Sequence, residues 1–71
     1  MSGSVYRVTE VIGVSDSSWE EAARNAVETA AKTVRDVRVA EATRFDVTVK
    51  DGKVESYRVR LDISFKYESG D

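Results

Sequence analysis

From Val5 to Val14 the chain reads Val-Tyr-Arg-Val-Thr-Glu-Val-Ile-Gly-Val. β-Branched and aromatic residues dominate, with Gly13 near the end, and this composition predicts a first strand. Ser15-Asp16-Ser17-Ser18 then offers several helix caps. Ser15 is the favoured N-cap, because it places Val14 and Trp19 at hydrophobic-staple spacing; Ser17 with Glu20 is the competing capping box. Beyond it, Trp19, Ala22, Ala23, Ala26, Val27, Ala30 and Val34 recur at helical spacing, while Glu20, Glu21, Arg24, Glu28, Lys32 and Arg35 fill the other side. The pattern predicts one amphipathic helix ending near Arg35, with an alanine-rich apolar face that a neighbouring element can approach closely.

The strongest turn signal is Asp51-Gly52, set between Lys50 and Lys53. A type I′ hairpin needs positive φ at both central residues, and this dipeptide supplies it. The turn joins two long strands, about Val37 to Lys50 and Lys53 to Tyr67. With a two-residue loop Lys50 faces Lys53, and counting outward sorts the side chains by face. One face carries Ala40 and Ala42 beside Val59, Leu61, Ile63 and Phe65. The other carries Val39, Glu41, Thr43, Phe45, Val47 and Val49 beside Ser64, Asp62, Arg60, Arg58, Ser56 and Val54. The first face seats the helix, so the predicted fold is α+β in the order β-α-β-β, a three-stranded antiparallel sheet wrapped around one helix. The expected organisation is a flexible N-terminus at 1–4, one domain over 5–67 and a flexible tail at 68–71.

Composition narrows the function. A chain of 71 residues, 34% charged and 41% hydrophobic, has room for one small core. A net charge of -2 lacks the basic excess that nucleic-acid backbones require. The sequence contains no Cys and no His, which removes thiolate nucleophiles, imidazole bases and most zinc and haem chemistry, and leaves oxygen ligands for any metal. Ser56, Ser64 and Thr43 have no activating base in any motif, so enzymatic chemistry is not expected. No apolar run approaches the roughly 20 residues of a bilayer span, and Met1-Ser2-Gly3-Ser4 does not open a signal peptide. A soluble, cytoplasmic protein is expected, with neither nucleic acid nor membrane as partner.

One helix covers one face of the sheet. The second face still presents Val39, Phe45, Val47 and Val49 among charges, a patch that water does not tolerate well. Burial against copies of the same chain would cover it and support a small core, so an obligate homo-oligomer is expected. Trp19, Tyr6, Tyr57 and Tyr67 are read as packing residues.

Taken in order, Val5-Tyr6-Arg7-Val8, Gly13, Ser18-Trp19-Glu20-Glu21-Ala22, Asn25-Ala26, Asp51-Gly52 and Phe65-Lys66 resemble the dodecins over almost the whole chain. The resemblance implies a hollow homododecamer that holds a small molecule, in most members a flavin such as FMN or riboflavin, in pockets on the twofold axes, for storage or sequestration. Flavin-binding members carry a Trp where this chain has Val39, and a Gln where it has Arg58. Val39 forfeits aromatic stacking worth roughly 0.5–1.5 kcal/mol per pair. Arg58 offers five donors and no acceptor, and its charge needs a partner. Weak flavin binding is therefore expected, with Val39 and Arg58 as the altered ligand site and Glu41, Arg60 and Asp62 as polar neighbours.

Val37-Arg38-Val39-Ala40 and Tyr57-Arg58-Val59 also resemble the calcium-type members that lack the aromatic residue. In the two-residue-loop register Glu41 faces Asp62, and two opposed carboxylates repel unless a cation lies between or beside them. Glu41 and Asp62 are thus candidate calcium ligands. The alternative is that Arg44, Arg58 or Arg60 neutralises them, and the sequence leaves both open.

Overall fold

A computed structural model of the chain describes residues 3–66. The expectations for Tyr67 and the tail at 68–71, and for residues 1 and 2, lie outside the described residues. The element order is β1 (Tyr6–Ser15), α1 (Trp19–Ala31), β2 (Val37–Lys50) and β3 (Lys53–Lys66). The sheet runs β1-β3-β2, with β3 antiparallel to both neighbours. The last strand of the chain is thus the central one, and α1 carries the connection between the two edge strands.

The turn is the one the sequence predicts: Asp51 and Gly52 have φ of 53° and 75°, and Lys50 pairs with Lys53. The helix begins later than expected. Strand β1 continues to Ser15, which is still paired with Tyr57, so Ser15 is not the N-cap. Its hydroxyl instead accepts from the backbone N–H of Ser17 at 3.0 Å and bends the chain into the helix. Ser18 caps α1, its Oγ accepting from Glu21 N–H at 3.0 Å. The helix also ends earlier, at Ala31, where Lys32 and Thr33 N–H bond back three residues to Thr29 and Ala30 carbonyls. This tightening and the β-branched pair Thr33-Val34 stop the helix before Arg35. Asp36, at φ 57°, turns the chain into β2.

The core is small. Ala22 and Ala26 of α1 pack on Val59, Leu61 and Ile63 of β3, with Val11, Ala23, Val27, Ala30, Val37 and Ala40 around them. Alanines let the helix lie close to the sheet, and Gly13 completes the fit: a Cβ there would collide with the carbonyl oxygen of Ala22. Gly13 therefore serves close approach within β1 and does not end it. The helix packs mainly on β1 and β3 and touches β2 least.

The hairpin register differs from a plain ladder in the middle. Thr43 is an extra residue on β2, between the pairs Ala42–Leu61 and Arg44–Arg60. Glu55 is an extra residue on β3, between Thr48–Ser56 and Val49–Val54. Arg38 is a third bulge, between Val37–Phe65 and Val39–Ser64. Because side chains alternate, the bulge at Thr43 exchanges the faces of everything after it on β2. Phe45 faces Val59 and Val47 faces Tyr57, on the helix side. The placement of Phe45, Val47 and Val49 on the open face is thereby corrected. Trp19 does not staple to Val14 but packs edge-on against Phe45 and Tyr57, at ring-centroid distances of 6.0 Å and 5.2 Å, while its indole N–H donates to the Asp46 carbonyl at 3.1 Å.

Candidate functional site

The open face of the sheet is built from the even positions of β1, from the even positions of β3 from Ser56 onward, and from Val39, Glu41, Arg44, Asp46 and Thr48 of β2; the bulge at Glu55 puts Val54, expected on the open face, beside Val49 on the helix side. Strand pairing sets these side chains in cross-strand rows. The first row is Val8, Ser64 and Val39. The second is acidic: Glu10, Asp62 and Glu41. The third is Ile12, Arg60 and Arg44, and the fourth is Val14, Arg58 and Asp46. The apolar members are open to water, Val8 at 60%, Ile12 at 46%, Val14 at 49% and Val39 at 58% exposure. An exposed apolar patch is present as expected, but its companions to Val39 come from β1.

Arg58 has a partner that sequence counting could not supply. The bulge at Thr43 brings Asp46 directly opposite it, and the guanidinium grips the carboxylate from two atoms, Nε to Oδ1 at 2.8 Å and Nη2 to Oδ2 at 3.3 Å. The hydrogen bond from Arg58 holds the Asp46 carboxyl below its ordinary range, and Arg44 and Arg60 act in the same direction. Asp46 is the partner of a candidate site residue that the sequence reading missed. The signal for it was a change of parity: apolar residues occupy even positions at Ala40 and Ala42 but odd positions at Phe45, Val47 and Val49, which requires a bulge between them.

Glu41 and Asp62 do face each other. Among the described residues no ion pair joins either carboxylate to Arg44, Arg58 or Arg60: Arg58 is held by Asp46, and Arg60 reaches Glu10 at 4.0 Å. Opposed carboxylates with unspent charge have the donor chemistry that calcium takes, yet calcium needs six to eight oxygens. Among the described residues no group of three or more acidic side chains stands close enough to hold a metal. The described residues of one chain thus supply part of a calcium site at most.

The flavin-site positions do not come together either. Val39 pairs with Ser64, six positions along β3 from Arg58, a separation of about 20 Å at strand rise. A small molecule that touches both needs two copies of the chain. The residues fit a flavin poorly in any case, because Val39 offers no ring to stack on and the Arg58 fork is already engaged.

A family model described as Dodecin matches residues 5–68. Calcium dodecin from Mycobacterium tuberculosis is 44% identical over 63 residues, 89% of this chain and 89% of that protein. A crystal structure of calcium dodecin from the same organism, described as a calcium-chelating immunodominant antigen with a novel calcium-binding site, superposes with a TM-score of 0.82 at 43% identity, covering 96% of this chain and 97% of the other. Dodecin from Streptomyces coelicolor gives a TM-score of 0.91 at 38% identity, over 99% of this chain and 100% of that one. The β-α-β-β topology, the open polar face and these matches along nearly the full length agree, and the chain belongs to the dodecin family.

Proposed function

We propose that this chain is the subunit of a non-enzymatic, cytoplasmic homododecamer that binds and sequesters a small ligand at contacts between copies, and that it holds flavin weakly. The observation that carries the reading is the Arg58–Asp46 pair. On the open face, the side chain placed to meet a flavin's polar edge is spent on a carboxylate, and the Val39 position has no aromatic plane. Exposed Val8, Ile12, Val14 and Val39 support burial against further copies. The absence of His and Cys from the sequence supports a binding role over a catalytic one.

A second reading, a calcium-binding shell, is favoured by the unneutralised Glu41–Asp62 pair and by the likeness to calcium dodecin. In that case copies of the chain meeting at the acidic row would complete the oxygen set that one chain lacks.

Native mass spectrometry of protein purified without added ligand, with an absorbance spectrum of the same sample, tests the first reading. The expected result is a colourless dodecamer. A yellow dodecamer carrying flavin mass would overturn weak flavin binding, and a monomer would overturn the assembly. Calorimetric titration with calcium decides the second: binding that Glu41→Gln with Asp62→Asn abolishes supports it, and binding that survives both changes removes these residues from the site.

A further inference from the structure

Little holds the end of the β2–β3 hairpin. Pairing with β1 stops at Ser15, opposite Tyr57, so beyond that row the sheet is two-stranded, an arrangement of marginal stability. Past the bulge at Glu55 only the pairs Val49–Val54 and Lys50–Lys53 remain, and the closing pair sets like charges face to face. Asp51 and Gly52 at the tip are exposed. At φ 53° Asp51 occupies the left-handed region, which an L residue adopts at a cost.

An aspartyl carboxyl carbon can close a five-membered ring on the amide nitrogen of the next residue, so that residue governs the reaction. Gly52 has open space where a Cβ would stand, and among the described residues no acceptor engages its N–H. The other described aspartates are guarded. After Asp16, the Ser17 N–H donates to Ser15 Oγ at 3.0 Å. Val37, Val47 and Ile63, which follow Asp36, Asp46 and Asp62, are β-branched and lie in strands.

We propose that Asp51 is a site of spontaneous covalent modification, converting to isoaspartate through a cyclic imide with Gly52. The Gly52 nitrogen attacks Cγ of Asp51. An N–Cγ bond forms, a Cγ–O bond breaks, and the displaced oxygen leaves as water with the amide proton and the carboxyl proton. Water then opens the imide. Opening at the main-chain carbonyl carbon of Asp51 leaves the chain running through Cγ, with a free carboxylate on Cα. The main chain gains one atom, Cβ, in a turn whose geometry fits two ordinary residues, so Lys50 and Lys53 lose their register. The tip of the hairpin thereby records the age of the chain, while the core beneath α1 is untouched.

The protein is incubated at neutral pH, sampled over weeks, denatured and digested with endoproteinase Asp-N, which cuts before aspartate and not before isoaspartate. The expected result is a progressive loss of the cut at Asp51, about tenfold or more faster than at Asp16, Asp36, Asp46 or Asp62, with a fraction of the chain lighter by one water. An isoaspartate-specific carboxyl methyltransferase should label the aged protein. Asp51→Glu, whose longer side chain closes no five-membered ring, should abolish the label. Asp51→Asn reaches the same imide with ammonia as the leaving group and should convert faster. A cut at Asp51 that persists, a loss spread evenly over the aspartates, a label that survives Asp51→Glu, or an Asp51→Asn variant that converts no faster overturns the assignment.

Discussion

The two faces of this sheet solve opposite problems with the same strands. The helix side is closed by the smallest side chains available, so that Ala22 meets Gly13 backbone to backbone and Val59, Leu61 and Ile63 lose almost all contact with water. The open side keeps four rows of mixed charge and exposed apolar side chains, and its tight contacts are polar, the Arg58–Asp46 ion pair and the Thr48–Ser56 hydroxyl pair at 2.6 Å. Stability comes from the first face, where packing cannot change without loss. The second carries the proposed binding residues, and there side chains can be exchanged at little cost to the fold. The difference follows from composition: apolar volume beneath a helix is worth kilocalories, whereas exposed ion pairs are worth about 0–1 kcal/mol.

Ile63→Ala breaks the comparison from the covered side and should have the largest effect. It leaves a cavity beneath α1, and a loss of about 2–5 kcal/mol is expected in denaturant unfolding. A loss well below 1 kcal/mol would mean that the helix does not depend on this contact. Gly13→Ala follows, at about 1–3 kcal/mol, because the added methyl must push the Ala22 carbonyl and with it the helix. Here thermal unfolding is the measurement, and an unchanged midpoint would contradict the close approach of α1 to β1.

The smallest effect belongs to the open face and depends on pH. The folded-state pKa of Asp46 lies below its ordinary value of 3.8, chiefly through the hydrogen bond from Arg58. Its contribution to stability is therefore fully present above about pH 4 and is lost as pH falls through the lowered folded value. The stability difference between the native chain and Asp46→Asn, followed by urea unfolding across this range, should be small at neutral pH and fade toward acid. A difference that stays level through the acid range would rule out the ion pair as its source.

Much of this was legible from residue types. Asp51-Gly52 fixed the turn, alanine spacing marked the buried face of α1, and counting from Lys50 and Lys53 put Glu41 opposite Asp62. What escaped were features decided between neighbouring options of similar energy. Four consecutive cap candidates at 15–18 differ little locally, and Ser18 prevails because β3 holds Ser15 in the sheet through Tyr57. Helix propensity carries the pattern to Val34, but backbone groups at Lys32 and Thr33 find nearer acceptors first. The Asp46–Arg58 pair depends on a bulge that shifts the middle of the hairpin while leaving Val39 to Ala42 and Val49 to Lys50 in the register expected of a plain ladder.

That shifted middle resembles a frameshift and its suppressor. Thr43 adds one residue to β2 and Glu55 adds one to β3, so the two insertions cancel everywhere except between them. Deleting either residue alone would remove its bulge and leave every other pair, and every other side chain, on its present face. Deleting both would leave a continuous ladder with Asp46 still opposite Arg58. The hairpin can therefore lose length at either bulge without exchanging its faces.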